Sequence, residues 1–266
     1  MKNYGSISKL SATLNNPILY KFNIGDSSFD LNNYIGKTIK IDFSGEINCI
    51  ECGIKIKKTF MQGFCYPCFI KSPRTSECIF KPHLCKAHKG EARDMEWSEK
   101  YCLSEQFVYL SLTSNLKVGV TRHTQIPTRW IDQGAHHAIK FAKVPNRYLA
   151  GMIELEVSNH ISDRTQWRKM LQGNYEFLDL VNKKNELAKL LSEKYHKYLL
   201  SNNDVINLIY PQAEQLDKIK SINIEKTPNI SGILTGIKGQ YLIIDNLYVL
   251  NVRKYTGYSF KVELDS

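Results

Sequence analysis

The sequence predicts an α+β protein with β-rich N- and C-terminal segments, and three patterns support this class. Apolar and polar residues alternate over 18–24 and 37–45, between clusters of Gly, Asp, Ser and Asn that are typical of turns. A similar pattern returns over 232–252, where Gly236 and Gly239 indicate bends. Between these regions apolar residues recur at helical spacing. We therefore expect the two terminal segments to pair into one β module that flanks the centre of the chain.

Two Cys-x-x-Cys pairs separated by twelve residues predict a structural zinc site after the N-terminal segment. The pairs are Cys49 with Cys52 and Cys65 with Cys68. Each pair can place two thiolates on one ion, and a loop of this length lets the second pair complete the tetrahedron. Gly53 suits a tight knuckle turn after the first pair, and Pro67 fits the first turn of a helix that carries the second pair. This layout is that of a treble-clef-like zinc finger.

A second, less regular group of metal-ligand residues follows the first. It contains Cys78, Cys85 and His88, with His83 or Cys102 as the fourth ligand. The spacing of Cys85 and His88 suits two ligands on one turn. The alternative is a loop with one structural cysteine and surface histidines. The sequence thus predicts one or two structural Zn²⁺ ions.

The use of cysteine favours a reducing compartment. Four of the seven cysteines have zinc-site spacing, so a metal site explains them better than a disulfide framework. Residues 1–9 lack the apolar core of a secretory signal, and no apolar run approaches the roughly 20 residues that span a bilayer. We expect a cytoplasmic protein with no membrane partner.

The centre of the chain combines a hairpin with helices. Residues 107–121 predict a β-hairpin with Ser114 and Asn115 at its turn. Helices are then predicted to begin near Pro127, near Pro145 and at Ser162, the last of them ending near Gly173. Residues 175–200 predict a longer amphipathic helix. Its apolar stripe, which we expect in the core, contains Phe177, Leu180, Val181, Leu187, Leu190 and Leu191.

The net charge of +10 is concentrated in two stretches of the chain. Residues 49–100 carry ten Lys and Arg against six Asp and Glu, and residues 101–173 carry nine against five. Such an excess predicts a phosphate-facing surface, with a solvated face that aids solubility as the alternative. The candidate nucleic-acid-binding residues are Lys57, Lys58, Arg122, Arg129, Gln133, Arg147 and Arg168. The sequence leaves DNA and RNA open as partners.

A short stretch of the centre resembles a known nuclease superfamily. Val108-Tyr109-Leu110, followed by Lys117-Val118-Gly119-Val120-Thr121, is similar to the paired strands of GIY-YIG nucleases. The resemblance implies a central ββα domain that hydrolyses phosphodiesters with Mg²⁺ or Mn²⁺. It implies catalytic roles for Tyr109, Lys117, Arg129 and Glu154, with Glu156 as the alternative acid.

The implied roles are chemically coherent. Tyr109 would position or deprotonate water, Arg129 would neutralise developing charge, and Glu154 would hold the divalent ion. Two departures exist, because Lys117 occupies the place of the second motif tyrosine and the first strand lacks its leading glycine. The Lys117 departure favours the alternative of a non-catalytic RNA- or ribosome-associated binding module. In a generic ββα core, Tyr109 would simply be packed inside.

Longer strings resemble a bacterial family that is known only as domain of unknown function 2797. They cover residues 81–85, 92–97, 116–122, 125–135, 145–151 and 167–171. This resemblance implies no particular activity. Its Arg129 and Gln133 lie four residues apart and would share one helical face, which suits a base or phosphate contact.

Five segments follow from these patterns. They are a β-rich N-terminal segment, a zinc-binding region, a GIY-YIG-like domain, a helical segment and a β-rich C-terminal segment, over residues 1–48, 49–100, 101–173, 174–226 and 227–266. The function predicted is that of a zinc-binding, nucleic-acid-binding protein, either a divalent-metal-dependent endonuclease or a non-catalytic binding module.

Overall fold

The computed structural model describes residues 2–161, 166–212 and 215–265. Their packing divides the chain into two units. The first, which we call the sheet unit, comprises Met1–Ile70, Leu171–Gly173 and Leu208–Ser266. The second, which we call the central unit, comprises Lys71–Met170 and Asn174–Asn207. The predicted α+β class is confirmed.

Strands predominate at both ends of the chain, and the α-helices lie between them. The strands are β1 (Lys2–Ser6), β2 (Ser11–Thr13), β3 (Leu19–Ile24), β4 (Ser27–Asp30), β5 (Thr38–Ile47), β6 (Gln106–Leu112), β7 (Leu116–Arg122), β8 (His137–Val144), β9 (Ile206–Asn207), β10 (Lys220–Ser221), β11 (Asn229–Lys238), β12 (Tyr241–Ile244), β13 (Tyr248–Asn251) and β14 (Tyr258–Leu264). The α-helices are α1 (Tyr66–Lys71), α2 (Met95–Tyr101), α3 (Thr128–Asp132), α4 (Arg147–Ser158), α5 (Trp167–Gln172) and α6 (Leu180–Leu190). No helix within the described ranges has the length and apolarity needed to cross a membrane.

The sheet unit is built on a seven-stranded sheet with strand order β1-β14-β5-β11-β12-β13-β10. Strand β14 lies antiparallel between β1 and β5, and β11 pairs antiparallel with the other edge of β5. The predicted pairing of the two terminal segments is therefore confirmed. Gly236 lies at a register shift between β11 and β12, and Gly239 turns the chain between them with a φ of +61°. A smaller sheet, β2-β3-β4, completes the strands of this unit that the structure describes.

The central unit contains a four-stranded sheet with the order β7-β6-β8-β9. The predicted hairpin is confirmed, with β6 and β7 antiparallel and Tyr109 directly opposite Gly119. Helix α4 packs its buried Ala150, Ile153 and Val157 into the same core as Val108 of β6. Asn146 starts this helix, because its side-chain oxygen accepts the Leu149 N–H at 2.9 Å.

The helices predicted near Pro127 and Pro145 are confirmed as α3 and α4. The helix predicted from Ser162 begins outside the described residues, and α5 covers Trp167–Gln172.

The single helix predicted over 175–200 was wrong. Asp179 caps a new start, since its Oδ1 accepts the N–H groups of Val181 and Asn182 at 2.9 and 3.1 Å. Helix α6 ends at Leu190, and a 3₁₀ helix follows over Glu193–Tyr198. Phe177 therefore precedes the helix and is 83% exposed, and Leu190 at the end of α6 is 55% exposed, so neither belongs to the buried apolar stripe as predicted.

Candidate functional site

The four cysteines of the predicted zinc site come together in the sheet unit. Their sulfur atoms all lie within 4.8 Å of one another. Cys52 Sγ and Cys65 Sγ are 3.8 Å apart. A tetrahedral zinc ion with Zn–S bonds of about 2.3 Å keeps its sulfurs about 3.8 Å apart. The cluster, which we call the four-cysteine site, could therefore hold a metal ion, and its soft thiolate donors suit Zn²⁺.

Local backbone geometry prepares this site for thiolates. Gly53 has a φ of +74° and donates its N–H to the Cys49 carbonyl at 2.9 Å, which forms the knuckle. Cys49 Sγ accepts the N–H groups of Cys65 and Glu51 at 3.2 and 3.5 Å. Burial opposes ionisation of Cys49, but the backbone N–H groups outweigh it and lower its pKa to about 6. Cys68 lies on the first turn of α1.

A second cluster forms in the central unit from Cys78, Cys85 and Cys102, which we call the three-cysteine site. These three sulfur atoms also lie within 4.8 Å of one another, and among the described residues no other ligand joins the group. Of the two candidates for a fourth ligand, the structure brings in Cys102, at the C-terminal end of α2. His88, which the sequence predicted as a ligand, lies outside the group and stacks its ring on Tyr148 at 4.3 Å.

Two arginines that were predicted to contact nucleic acid lie beside the three-cysteine site. Arg147 donates to the backbone carbonyls of Cys78 and Tyr101 at 3.3 and 3.2 Å. Hydrogen bonds from the Cys78 and Cys85 thiols, aided by Arg147, lower the pKa of Cys102. Arg122 stacks over the Tyr101 ring at 4.5 Å, and burial lowers its pKa.

The predicted catalytic tyrosine is sealed inside the central unit. Tyr109 is 1% exposed, its hydroxyl accepts a hydrogen bond from Gln133 Nε2, and burial raises its pKa. A Cβ on Gly119 would lie 2.6 Å from the Tyr109 hydroxyl, so only glycine leaves room for this ring. Trp130 meets the ring edge-on, with centroids 5.9 Å apart. Tyr109 is thus a neutral, well-packed phenol at neutral pH.

Two charged groups act electrostatically on Tyr109. Burial has the largest effect on its pKa and raises it, the positive charge of Arg129 lowers the pKa, and the negative charge of Glu154 raises it. The backbone carbonyl of Arg129 also accepts from Gln133 Nε2 at 3.1 Å. The arginine of α3 and the acid of α4 thus both influence the pKa of this tyrosine on β6.

The other two predicted residues lie differently. Glu156, the alternative acid, accepts hydrogen bonds from the backbone N–H and the hydroxyl of Ser192. Its carboxylate therefore holds the segment that follows α6. Lys117 lies on β7 opposite Ser111, two residues before Gly119. Side chains two apart on a strand share a face, so Lys117 lies on the Tyr109 face of the hairpin.

The four-cysteine site also carries an exposed surface that the sequence did not single out. Tyr66 on α1 is 56% exposed, and its ring lies 5.2 Å from that of Phe60. The Lys58 ammonium group sits over the Phe60 ring at 5.3 Å. Lys57 is exposed, and no acidic partner approaches it among the described residues. Arg168 does not belong to this surface: it lies in the central unit, exposed on α5, where it covers the Trp167 ring at 4.3 Å.

Comparison with protein families gives one match over residues 36–260, to a family described as a protein of unknown function (DUF2797). The chain belongs to the DUF2797 family. The match includes both cysteine clusters and the whole β6–α4 region. No curated protein and no solved structure matches the chain significantly. The DUF2797 description assigns no activity, so function has to follow from the residues themselves.

Proposed function

We propose that this protein binds single-stranded nucleic acid through the surface of its zinc-loaded four-cysteine site. The observation that carries the proposal is the continuous row of Lys58, Phe60 and Tyr66, with Lys57 beside it. The exposed Tyr66 ring offers a stacking face to unpaired bases, with the half-buried Phe60 ring supporting it, and lysines neutralise the phosphates that link the bases. The zinc ion, held by Cys49, Cys52, Cys65 and Cys68, is structural and fixes α1 and the preceding loop.

Charge supports this assignment. Lys55 is engaged by Glu46 at 2.6 Å, whereas Lys57 and Lys58 have no such ion pair in the described part of the chain. Their charge is therefore available to a partner. Nucleic acid is the partner class that uses both exposed rings and unpaired lysines.

The test measures binding of labelled single-stranded and double-stranded RNA and DNA to the zinc-loaded protein. We expect Tyr66→Ala to weaken single-strand binding by about 1–3 kcal/mol, roughly 5- to 150-fold. Tyr4→Ala is a matched control, because Tyr4 is 62% exposed in the same unit but directs its hydroxyl towards Glu46. Equal loss in both variants, or no loss in Tyr66→Ala, would contradict the proposal.

Salt dependence gives an independent test. Each phosphate contact on a single strand contributes about 0.7 to the slope of log affinity against log salt. We expect Lys58→Ala to reduce that slope by about this amount. A slope that is unchanged would exclude Lys58 from the phosphate contacts.

A second candidate function is phosphodiester hydrolysis in the central unit, where the charges of Arg129 and Glu154 both act on Tyr109. Two buried polar atoms beside them, Gln133 Oε1 and Trp130 Nε1, have no hydrogen-bond partner within the described residues. Such atoms are expected where a ligand or water completes a site. Glu154 would hold Mg²⁺ or Mn²⁺ and Arg129 would stabilise charge on the phosphate, with Tyr109 as a positioning residue because its buried hydroxyl stays protonated.

Cleavage assays with Mg²⁺ or Mn²⁺ separate the enzyme from the non-catalytic RNA- or ribosome-associated module. In the enzyme, Arg129→Ala should lower the cleavage rate about 100- to 1,000-fold, and Glu154→Gln should abolish cleavage. Glu156→Gln is the matched control and should retain cleavage, since Glu156 serves Ser192. Binding without cleavage by the wild-type protein would favour the non-catalytic module.

A further inference from the structure

The three-cysteine site has the features of a buried metal site rather than of a chance cluster. Cys85 is 4% exposed and Cys102 is 1% exposed, and all three cysteines are free thiols. They come from separate turns, since Cys78 lies in the 3₁₀ turn Glu77–Ile79, Cys85 follows the turn Pro82–Leu84, and Cys102 ends α2. Three cysteines cannot all be paired in disulfides, because a disulfide joins two of them and leaves the third thiol free. A thiophilic ion explains why all three converge.

The surrounding charge matches such an ion. Zn²⁺ with three thiolates carries a net charge of −1, and burying that charge is costly unless a cation accompanies it. Arg147 supplies the cation, because its guanidinium bonds the carbonyl of Cys78 and its positive charge acts on Cys102. The backbone N–H of Arg147 also donates to the Cys102 carbonyl at 2.8 Å.

The fourth ligand has to turn in from outside the group, because no other ligand atom of the described residues lies within 4.8 Å of all three sulfurs. His88 follows Cys85 by three residues, and its ring stacks on Tyr148. Tyr148 in turn packs against the cysteine cluster, so the imidazole lies at the edge of the site. His83 is the other histidine of this segment, but its backbone is pressed against Gly151 of α4.

We propose that Cys78, Cys85 and Cys102 form a second, structural zinc site that fastens the segment 78–88 to α4, with the His88 imidazole turning in from Tyr148 as the fourth ligand. The attachment runs through two contacts, Arg147 at the start of α4 and Gly151 one turn later. A Cβ at Gly151 would lie 2.1 Å from the His83 backbone nitrogen, so the segment and the helix touch through their backbones. Glu154 stands three residues beyond Gly151 on the same helix, so the ion also fixes the predicted acid; this consequence alone rests on the proposed hydrolysis.

Metal content tests the proposal directly. Purified wild-type protein should contain two zinc ions per chain by native mass spectrometry, whereas Cys102→Ser and Cys52→Ser should each contain one. A single zinc ion in the wild-type protein that Cys102→Ser retains, or two zinc ions in Cys102→Ser, would overturn the second site, whereas a single ion lost only in Cys102→Ser would count against the four-cysteine site instead.

Zinc X-ray absorption of the wild-type protein avoids any dependence on the folding of variants. A four-thiolate site and a site with three thiolates and one imidazole together give about 3.5 sulfur and 0.5 nitrogen neighbours per zinc. His88→Ala should remove the nitrogen neighbour, while the matched control His83→Ala should keep it. Four sulfur neighbours per zinc in the wild-type protein, or nitrogen retained in His88→Ala, would overturn the ligand set.

Amide hydrogen exchange tests the attachment to α4 separately from nucleic-acid binding or cleavage. We expect faster exchange over Arg147–Ser158 in Cys102→Ser and no change there in Cys52→Ser, whose site belongs to the other unit. Unchanged exchange in a Cys102→Ser variant that has lost one zinc ion would refute the role of the site in fixing α4.

Discussion

Whether Gly151→Ala stabilises or destabilises the protein tests how closely the turn Pro82–Leu84 packs against α4. Replacing glycine by alanine inside a helix normally stabilises a protein by about 0.5–1 kcal/mol. At Gly151 the added Cβ would lie 2.1 Å from the His83 nitrogen and 2.4 Å from the Pro82 carbonyl carbon. Both are backbone atoms, so no side-chain rotation relieves the clash. The 3₁₀ turn Pro82–Leu84 would have to move away from α4 by about 1 Å or more.

The size of the effect follows from these opposing contributions. Overpacking of this kind costs about 1–3 kcal/mol, occasionally more, and backbone-to-backbone contact belongs at the upper end. After the gain in helix propensity is subtracted, we expect Gly151→Ala to lose about 2 kcal/mol, which corresponds to a melting temperature lower by about 4–8 °C. Thermal unfolding of the zinc-loaded protein, followed by circular dichroism, measures the difference.

A second glycine provides the control. Gly90 has a φ of +79°, but nothing lies within 4 Å of its added Cβ. Gly90→Ala should therefore cost only the strain of a left-handed residue, about 1–2 kcal/mol, and leave amide exchange in α4 unchanged. If Gly151→Ala proves as stable as the wild-type protein or more stable, the close packing of the turn on α4 is refuted.

Three further predictions concern other parts of the molecule. Burial lowers the pKa of Lys238 from 10.5 to about 7, so the unfolded chain binds more protons between these values and stability should rise with pH across this window, by on the order of 5 kcal/mol. Lys238→Met should remove that rise in urea unfolding at pH 7 and pH 10, and an equal pH dependence in both proteins would contradict it. Asp179→Ala should cost about 1 kcal/mol of unfolding free energy by removing the cap of α6, while Asp179→Asn should retain most of it; equal losses would exclude capping. Tyr109→Phe should cost about 1–3 kcal/mol by leaving one of the two amide N–H groups of Gln133 without a partner, while the bond to the Arg129 carbonyl remains; full stability in urea would show that the Gln133–Tyr109 hydrogen bond contributes nothing.

Sequence patterns predicted the elements whose determinants are local. The alternation of apolar and polar residues predicted β5 and the β6–β7 hairpin correctly, because the two-residue period of a strand is visible in neighbouring residues. The spacing of two Cys-x-x-Cys pairs likewise located a cluster that a short loop can close. The N-cap at Asp179 was not predicted. The apolar spacing begins before this residue, but the cap makes α6 start only at Leu180.

Features that depend on tertiary packing could not be predicted in this way. Cys102 lies 17 residues after Cys85, and only the placement of α2 decides that it, rather than His88, joins the cluster in the structure. The excess of positive charge was visible, but not the direction in which each side chain points. The Arg147 guanidinium is hydrogen-bonded to backbone carbonyls inside the protein, whereas the Lys57 side chain is exposed. Charge counts therefore identified a basic protein more reliably than they identified its contacts.

The position of β5 between β11 and β14 determines the order in which this chain can fold as it is synthesised. Both neighbours of β5 come from the far end of the sequence; Asn229, which bonds Asp42 on β5, lies 187 residues further along. Residues 71–207 can complete the central unit first, because its strands and helices lie close together along the chain. Until β11 and β14 are synthesised, both edges of β5 remain unpaired, and unpaired strand edges promote aggregation. Folding of this sheet is also slow, because pairing β5 with β11 or β14 requires closing a long loop. A chain that ends before β14 would therefore leave β1 without its partner strand and β5 with one edge unpaired.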